Sequence, residues 1–170
     1  MGALIEHRDD QDFYRRTYVR VTFAREGIDW EALAGIYARA PLANRTAEET
    51  RRAFANSYLC CFAWIDGVLV GAARATSDGV FYATILDVAV DPDYQSAGIG
   101  RRLMEEILRR LPFPKVFLTT AQGKEGFYEK LGFLRQTNAM GHFVGAARRE
   151  AIALGVLVEP DEPGNGEAAA

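Results

Sequence analysis

The chain has 170 residues, of which 49% are hydrophobic and 25% are charged, a composition typical of one globular domain and unlike that of a disordered or fibrous protein. Its formal net charge is -3 at pH 7, and acidic residues of the final segment account for that excess. Because the rest of the chain is close to neutral, we expect neither nucleic acid nor an anionic membrane as a partner. The longest apolar run, Tyr58–Ile65, is too short for a transmembrane helix.

The opening segment and the cysteines favour a cytoplasmic location. Glu6, Asp9 and Asp10 lie where a secretory signal would need a basic start followed by an apolar stretch. Cys60 and Cys61 are adjacent, which matches neither a disulfide framework nor the spacing of metal ligands. We therefore expect a reduced, cytoplasmic protein without a metal.

The distribution of apolar residues divides the chain into three segments. The alternation of apolar and polar residues begins at Thr17, and the last residues, rich in Glu, Pro, Gly and Ala, lack the apolar content of a core. We predict a lead-in, a single domain and a disordered acidic tail, at residues 1–16, 17–158 and 159–170.

Two helices follow the first predicted strand, Thr17–Phe23. Asp29 is a candidate N-cap for a helix that Pro41 closes. Thr46 with Glu49 matches a capping box, which predicts a second helix running toward Phe54.

A three-stranded meander is predicted next. The apolar runs Tyr58–Ile65 and Val68–Thr76 are separated by Asp66-Gly67, a pair typical of type I′ hairpin turns. A further turn at 77–79 leads into Val80–Val90. Consecutive strands that are joined by short turns pair in antiparallel fashion.

The pattern then changes to helical spacing. Apolar residues from Ile99 to Leu111 recur on one face until Pro112, and Lys115–Thr119 reads as a strand. That strand should be parallel to Val80–Val90, because the crossover between them is a helix. The remaining predicted elements are a short helix Gly123–Leu131 stopped by Gly132 in a left-handed conformation, strands Phe133–Thr137 and Met140–Val144, and a helix or strand at Arg148–Leu157.

The most informative stretch lies between the third meander strand and the helix after it. It reads Asp91-Pro92-Asp93-Tyr94-Gln95-Ser96-Ala97-Gly98-Ile99-Gly100-Arg101-Arg102. Glycines there let backbone N–H groups converge on one anion, and the helix N-terminus adds roughly half a positive charge. This geometry suits a pyrophosphate, with the two arginines as supplements; the alternative is a tight turn without a ligand.

Known phosphate loops narrow the choice. The stretch lacks the Gly-x-x-x-x-Gly-Lys-Ser/Thr string of a Walker A loop, and Leu103 occupies the position of the third small residue of a dinucleotide fingerprint. Instead it resembles the Gln/Arg-x-x-Gly-x-Gly/Ala loop of the GNAT N-acetyltransferase superfamily, and Phe127-Tyr128 through Gly132-Phe133 is similar to that family's second motif. The resemblance covers 29–144.

Within the superfamily, the chain looks closest to the plant chloroplast serotonin N-acetyltransferase group. The segments that carry this likeness are 75–79, 84–88 and 91–95, with a looser counterpart at 140–143. The resemblance implies an α/β (α+β) fold, with a mixed, mostly antiparallel sheet of about seven strands, one parallel pair and about four helices.

The resemblance also implies the ligand and the residues that hold it. Acetyl-CoA is the expected cosubstrate, with its pantetheine along the strand Leu86–Val90 and its pyrophosphate on the loop. The residues carried over for acetyl-CoA are Val88, Ala89, Val90, Gln95, Ser96, Ala97, Gly98, Ile99, Gly100, Arg101 and Tyr128.

Acetyl transfer to an amine needs a proton donor and a proton acceptor. Tyr128 corresponds to the family's general acid, which protonates the departing thiolate. The position of the Asp assigned as base in the serotonin group is Ala121 here. Asp87 is the preferred substitute, with Glu125 or a water relay through Thr119 or Thr120 as alternatives. An ion pair of Asp87 with Arg74 is an equally good interpretation.

Several other residues have two interpretations. Cys60 and Cys61 lack a nearby activating His in the sequence and are not expected to act as nucleophiles. Asn56 and Ser57 either touch the acceptor or cap a helix. A set of aromatic residues either walls an acceptor pocket or forms core: Tyr37, Phe54, Tyr58, Phe81 and Tyr82.

The function expected from these residues is acetyl-CoA-dependent N-acetylation of a small primary amine, by direct transfer in a ternary complex, in a monomer or homodimer. One alternative is acetylation of a protein Lys or N-terminus. The other is an acyl-CoA-binding regulatory module without catalysis, which the loss of the family Asp at Ala121 suggests.

Overall fold

A computed structural model describes residues 3–6 and 16–159 of the chain. The chain divides into two compact units, Met1–Thr119 and Thr120–Ala170. Most of the predicted tail lies outside the described residues, as does most of the predicted lead-in. The prediction of a single domain over 17–158 stays a prediction.

Within the described residues, the first unit contains the six strands of one sheet and three helices. Its strands are β1 (Ala3–Glu6), β2 (Arg16–Thr22), β3 (Leu59–Ile65), β4 (Val68–Ser77), β5 (Tyr82–Val90) and β6 (Lys115–Leu118). Its helices are α1 (Trp30–Arg39), α2 (Ala47–Ala55) and α3 (Ile99–Leu108), with a 3₁₀ turn at Pro92–Tyr94.

The strands are ordered β1 to β6 across one sheet. The first four pairings are antiparallel, and β5 pairs with β6 in parallel. The mixed sheet and its one parallel pair confirm the prediction, because a helical crossover joins β5 to β6.

The strand β1 was not predicted from the sequence. Ala3 pairs with Val19 and Glu6 with Arg16, so part of the predicted lead-in belongs to the sheet. Four residues are too few to display a period of two, and no turn signal marks the segment as a strand.

Local signals placed the elements between 17 and 118 to within about three residues, the largest difference being the end of α3 at Leu108 in place of Leu111. Asp29 accepts a hydrogen bond from the N–H of Ala32 at 3.0 Å, and Thr46 with Glu49 forms the predicted capping box. In the β3–β4 hairpin, Asp66 and Gly67 have φ of 48° and 81°, as a type I′ turn requires.

Helices cover both faces of the sheet. Cys60 Sγ contacts the carbonyl of Phe54 in α2, whereas Cys61 Sγ contacts the carbonyl of Leu103 in α3. Adjacent residues of a strand point to opposite faces, so α2 lies on one side and α3 on the other. Burial on both faces explains the nearly continuous apolar sequence of β3 and β4.

The core on the α1 and α2 face is built from aromatic residues. Phe54 stacks on Phe62 of β3 with ring centroids 5.4 Å apart, and Trp30 meets Phe54 at 5.7 Å. Phe54, Phe62 and Tyr37 are fully buried. This packing fixes α1 and α2 against the central strands and so positions the loop that joins them.

The second unit contains two helices in its described part, residues 120–159: α4 (Glu125–Glu129) and α5 (Gly145–Ala153). Gly132 has φ of 88°, and the N–H of Phe133 donates to the carbonyl of Tyr128 at 3.1 Å. Gly132 therefore ends the short helix in the left-handed conformation predicted for it. The helix α5 settles the choice at Arg148–Leu157 in favour of a helix that begins three residues earlier.

The predicted strands Phe133–Thr137 and Met140–Val144 are wrong. Neither segment is a strand in the part of the chain that the structure describes, which gives six strands in place of about seven. Their apolar residues stay at the surface, with Leu134 91% and Met140 100% exposed. Because neither segment buries an apolar face, its apolar residues alone did not produce a strand.

Among the described helices, none combines the length and the apolar character needed to cross a bilayer.

Candidate functional site

The turn from β5 into α3 has the backbone of an anion-binding loop. Ser96 and Gly98 have φ of 66° and 77°, so the chain folds back on itself before the helix starts. Asp91 accepts from the N–H of Asp93 at 3.2 Å and stabilises the 3₁₀ turn. Gln95 Nε2 donates to the carbonyl of Val90 at 3.0 Å. These bonds hold the loop close to the end of β5.

Gly98 is the N-cap of α3 and provides no side chain to accept from the helix's first N–H groups. A Cβ built on Gly98 would meet no atom within 4 Å, so open space faces this residue. Unpaired N–H groups beside open space at a helix N-terminus suit an anion. The donors therefore fit the pyrophosphate of a coenzyme A.

The arginines of this loop are already paired. Arg101 bridges to Glu105 at 2.8 Å and Arg102 to Glu106 at 2.8 Å, both along α3. Arg101 is 59% exposed, which leaves its guanidinium able to exchange one partner for another. The backbone amides are thus the fixed part of the loop, and Arg101 is its adjustable part.

A β-bulge interrupts β5 just before this loop. Arg74 pairs with Leu86 and Ala72 with Ala89, so Asp87 and Val88 together lie opposite a single residue of β4. Asp87 has φ of 53°, which is unusual for a residue with a side chain. Such a bulge bends the strand and turns side chains away from the regular alternation.

The pairing of the two parallel strands, β5 and β6, ends next to the bulge. β5 pairs with β6 only from Tyr82 to Ile85, and β6 ends at Leu118. From Leu86 to Val90, therefore, β6 provides no ladder partner for β5 within the described residues. An extended ligand can add there as a strand and exchange backbone hydrogen bonds with Val88, Ala89 and Val90.

Asp87 lies between two guanidinium groups. Its Oδ2 accepts from Arg74 Nε at 2.5 Å and from Arg45 Nη1 at 2.7 Å. Burial by itself would raise the pKa of Asp87, but the hydrogen bonds from Arg45 and Arg74 outweigh it and hold the pKa below its usual range. A carboxylate with a lowered pKa is a weaker base. The ion pair with Arg74 that the sequence left open is therefore present, and it disfavours Asp87 as the proton acceptor.

Arg45 was not predicted for this site, and Tyr37 was predicted only as an acceptor-pocket wall or as core, not as a partner of Asp87. Arg45 lies in the loop between α1 and α2, directly before the N-cap Thr46, where nothing in the sequence marks it. Tyr37 donates from its hydroxyl to the carbonyl of Asp87 at 3.3 Å. Burial holds the pKa of Tyr37 well above its usual value, and the charge of Asp87 adds to the effect. Tyr37 thus acts as a neutral donor that supports the bulge.

The remaining aromatic candidates divide between core and surface. Phe54 is fully buried, whereas Tyr58, Phe81 and Tyr82 are exposed. Tyr58 meets Phe113 with ring centroids 5.5 Å apart, and Tyr82 stacks on Phe117 at 6.1 Å. The structure therefore does not gather these residues into one wall.

Asn56 and Ser57 have the capping role that the sequence left open. Asn56 is the C-cap of α2, and Ser57 Oγ donates to the carbonyl of Ala53 at 2.7 Å. Ser57 Oγ also accepts from Arg74 Nη1 at 3.3 Å, so the end of α2 is connected to the ion pairs around Asp87.

Tyr128, the predicted general acid, belongs to the second unit and sits in an aromatic setting. Its ring meets the edge of Phe127 at 4.9 Å and of Phe133 at 6.1 Å. Burial raises the pKa of Tyr128, which keeps the phenol protonated at neutral pH.

Two of the alternative candidates for the base lie in the same unit. Glu125 is the first residue of α4, and Thr120 Oγ1 donates to the carbonyl of Ala121 at 3.3 Å.

Both cysteines are buried and unsuited to nucleophilic attack. Burial raises the pKa of the Cys61 thiol to about 12 and that of Cys60 in the same direction. A thiol attacks as its thiolate, so neither residue is a candidate acyl carrier.

Among the described residues, no group of three or more His, Cys, Asp or Glu side chains could hold a metal ion.

Several known proteins are similar in sequence to this chain. Rice (Oryza sativa subsp. japonica) serotonin N-acetyltransferase 2, a chloroplastic protein by name, is 35% identical over 124 residues, which are 67% of this chain and 60% of that protein. A Glycine max protein named as a histone acetyltransferase is 46% identical over 68 residues, 38% of this chain and 29% of that protein. The chain thus spans less than two thirds of these relatives.

A solved structure and a family model complete the comparison. A putative acetyltransferase of Deinococcus radiodurans superposes with a TM-score of 0.66 and 29% identity, covering 78% of this chain and 92% of that one. The family model described as acetyltransferase (GNAT) family matches residues 26–133, a span that includes the bulge, the loop and Tyr128. The chain belongs to the GNAT family of N-acetyltransferases.

Proposed function

We propose that this enzyme transfers the acetyl group of acetyl-CoA directly to a small primary amine, with both substrates bound at once. Acetyltransferases of the GNAT family use acetyl-CoA as cosubstrate. The observation that carries the proposal is the open edge of β5 from Leu86 to Val90, continuous with the anion-binding loop from Gln95 to Arg101. The first accepts an extended chain with amide groups and the second accepts a pyrophosphate, in the order in which coenzyme A presents them.

The reaction needs one proton donor, Tyr128, and one proton acceptor for the amine. A bond forms between the amine nitrogen and the acetyl carbon, and the bond from that carbon to sulfur breaks. The departing thiolate, with a pKa of about 8.5 in its free form, takes a proton from the phenol of Tyr128. Burial raises the pKa of Tyr128, so the phenol is protonated at neutral pH, and the same shift makes it a weaker acid toward the thiolate.

The amine must lose a proton before or during attack, because a primary amine of pKa about 10.4 is mostly charged at pH 7. Asp87 was the preferred base, but its pKa lies below the usual range, and two arginines occupy Oδ2. We assign Asp87 the task of holding the bulge and the α1–α2 loop. Glu125 and a water relay through Thr119 or Thr120 remain the candidates for the base.

Direct transfer is favoured over an acyl-enzyme. An acyl-enzyme needs an activated nucleophile, and burial raises the pKa of both thiols. Initial-rate kinetics with both substrates varied should therefore give intersecting lines in a double-reciprocal plot, whereas a covalent intermediate would give parallel lines.

The second candidate is acetylation of a protein Lys or N-terminus. It is favoured by the similarity over 68 residues to the soybean protein named as a histone acetyltransferase. Intact mass spectrometry of candidate protein targets would show added acetyl groups under this alternative, while free amines would stay unmodified.

The test of the proposed function is release of coenzyme A thiol in the presence of acetyl-CoA and a panel of primary amines. The panel should contain arylalkylamines, polyamines, amino acids and phosphorylated amines, with each product identified by mass spectrometry. Acetyl-CoA-dependent formation of an N-acetyl product supports the proposal. Tight binding of acetyl-CoA with no transfer to any free amine or protein would select the regulatory alternative.

The location and the assembly stay predictions. The names of the rice and Arabidopsis relatives include the word chloroplastic, so they give no support to the expected cytoplasmic location. The expectation of a monomer or homodimer can be checked by light scattering.

A further inference from the structure

Five side chains form a continuous row on the α1 and α2 face of the sheet. Arg25 donates from Nη2 to the carbonyl of Ser57 at 2.6 Å, and Ser57 Oγ accepts from Arg74 Nη1 at 3.3 Å. Arg74 and Arg45 then share Oδ2 of Asp87. We call this row, Arg25–Ser57–Arg74–Asp87–Arg45, the arginine row.

The arginine row contains three guanidinium groups and one carboxylate. Glu49 acts on the charge of Arg45 and keeps its own charge, because its Oε2 accepts from the neutral N–H and hydroxyl of Thr46; counted with Asp87, it still leaves one of the three guanidinium charges in excess. Asp91 is paired with Arg39 at 2.5 Å. The row therefore has an excess of positive charge that its own acid does not neutralise.

This excess is partly removed from water. The side chains of Arg74 and Asp87 are only 13% and 8% exposed, while that of Arg45 is 34% exposed. Charges in such a setting are costly unless they are paired. Arg45 reaches Asp87 through Nη1 alone, and a guanidinium has five N–H donors in a fork that matches an oxyanion.

The position of the row relates it to the reaction. Asp87 belongs to the bulge at which β5 loses its pairing with β6, and the proposed function, on which this inference rests, places the thioester arm of acetyl-CoA along the residues that follow. Arg45 comes from the loop between α1 and α2. A group bound by Arg45 would therefore belong to the acceptor, on the helix-covered face of β5.

We propose that the arginine row is a subsite for an oxyanion on the acceptor, so that the preferred substrate is a primary amine that also carries a carboxylate or a phosphate. Arg45 is the specificity-determining residue, because it is the more exposed of the two arginines that pair with Asp87. An amine with no anionic group leaves the excess charge of the row uncompensated.

The experiment compares amines that differ only in the anionic group. Tryptophan with tryptamine and lysine with cadaverine test a carboxylate, and O-phosphoethanolamine with ethanolamine tests a phosphate. For each pair the anionic preference is the ratio of the two kcat/KM values. Amine pKa also differs within a pair, so the decisive quantity is the change of this ratio on Arg45→Gln, measured at one pH.

The control variant is Arg51→Gln. Arg51 lies on α2 and pairs with Glu48 at the surface, outside the arginine row. We expect Arg45→Gln to lower the anionic preference at least fivefold in one class of pair and Arg51→Gln to leave it unchanged. The class that responds identifies the anion as carboxylate or phosphate. A smaller change in every pair, or an equal change with Arg51→Gln, overturns the proposal.

A binding measurement separates this inference from the proposed function. Calorimetry with the enzyme saturated by desulfo-coenzyme A, which cannot carry an acetyl thioester, reports affinity for each amine without turnover. Anionic preference in binding that falls at least fivefold on Arg45→Gln supports the subsite even where no amine is acetylated, in which case only the proposed function fails. Turnover of amines with no such change leaves the proposed function standing and removes the subsite.

Discussion

Arg74 of β4 pairs in register with Leu86, and its Nε lies 2.5 Å from Oδ2 of the next residue of β5, Asp87, at the point where the register of the two strands shifts. The ion pair therefore spans the bulge itself. Asp87 has φ of 53°, and the bonds from Arg74, Arg45 and Tyr37 compensate for this unfavourable conformation. The open edge of β5 consequently depends on interactions made by α1, by the loop after it and by β4.

Asp87→Asn should destabilise the fold in a pH-dependent manner. We expect a loss of about 2 kcal/mol at pH 7, less than the roughly 3–5 kcal/mol of a fully buried pair because Arg45 is partly exposed. The folded pKa of Asp87 is lowered, so its contribution is complete above the unfolded pKa of about 3.9 and disappears as the pH falls through the lower folded value.

Chemical denaturation of the wild type and of Asp87→Asn between pH 3 and pH 7 measures this difference. The gap in unfolding free energy should stay constant down to about pH 4 and narrow below it. Asp66→Asn, in the β3–β4 turn that also favours Asn, is the control and should show no gap. A difference in unfolding free energy that becomes smaller as the pH rises would contradict a lowered pKa of Asp87.

Gly98→Ala should weaken binding of coenzyme A. Gly98 has φ of 77°, and a Cβ in that conformation costs about 1–2 kcal/mol, which the loop would relieve by moving its amides. Gly79→Ala is a matched control, because Gly79 has φ of 78° and equally open surroundings but lies in the β4–β5 turn.

Calorimetry and thermal unfolding together measure this effect. Both variants should lose similar stability, while Gly98→Ala alone should raise the Kd for coenzyme A about tenfold, equivalent to about 1.4 kcal/mol. Equal affinities in the two variants would mean that the pyrophosphate does not rely on this loop.

Tyr128→Phe should lower turnover and leave cosubstrate binding intact. Removing a general acid typically costs 10²–10⁴-fold, and we expect a fall in kcat of about 10²-fold with an unchanged Kd for acetyl-CoA. Tyr18→Phe, at an exposed position of β2, is the control. An unchanged kcat in Tyr128→Phe would exclude the phenol as the proton donor.

The two thiols should be unreactive in the folded enzyme. With a pKa of about 12 for Cys61, its thiolate fraction is over a thousandfold below that of a free Cys of pKa about 8.5. Iodoacetamide at pH 8 should label both residues only after denaturation and should leave acetylation intact. Rapid labelling of the native enzyme would contradict the predicted lack of thiol reactivity, and an acetylated Cys found by mass spectrometry after reaction with acetyl-CoA would contradict direct transfer.

The sequence by itself determined the elements whose signals act over a few residues. The capping box at Thr46, the type I′ turn at Asp66-Gly67 and the helix stop at Gly132 each depend on backbone preferences of neighbouring residues. The loop around Gly98 belongs with them, because its glycines and the helix that follows are adjacent in the chain. The family could be identified from these local features.

Only the tertiary structure decided the environment of Asp87 and the extent of the sheet. Arg45 and Asp87 are 42 residues apart in the chain and meet because α1 packs against β4 and β5. That contact helps to lower the pKa of Asp87, which disfavours it as a base. In the same way, Leu134 and Met140 lie in segments that contain apolar residues, yet both side chains stay exposed, since a strand forms only where a partner strand and a buried face are both available.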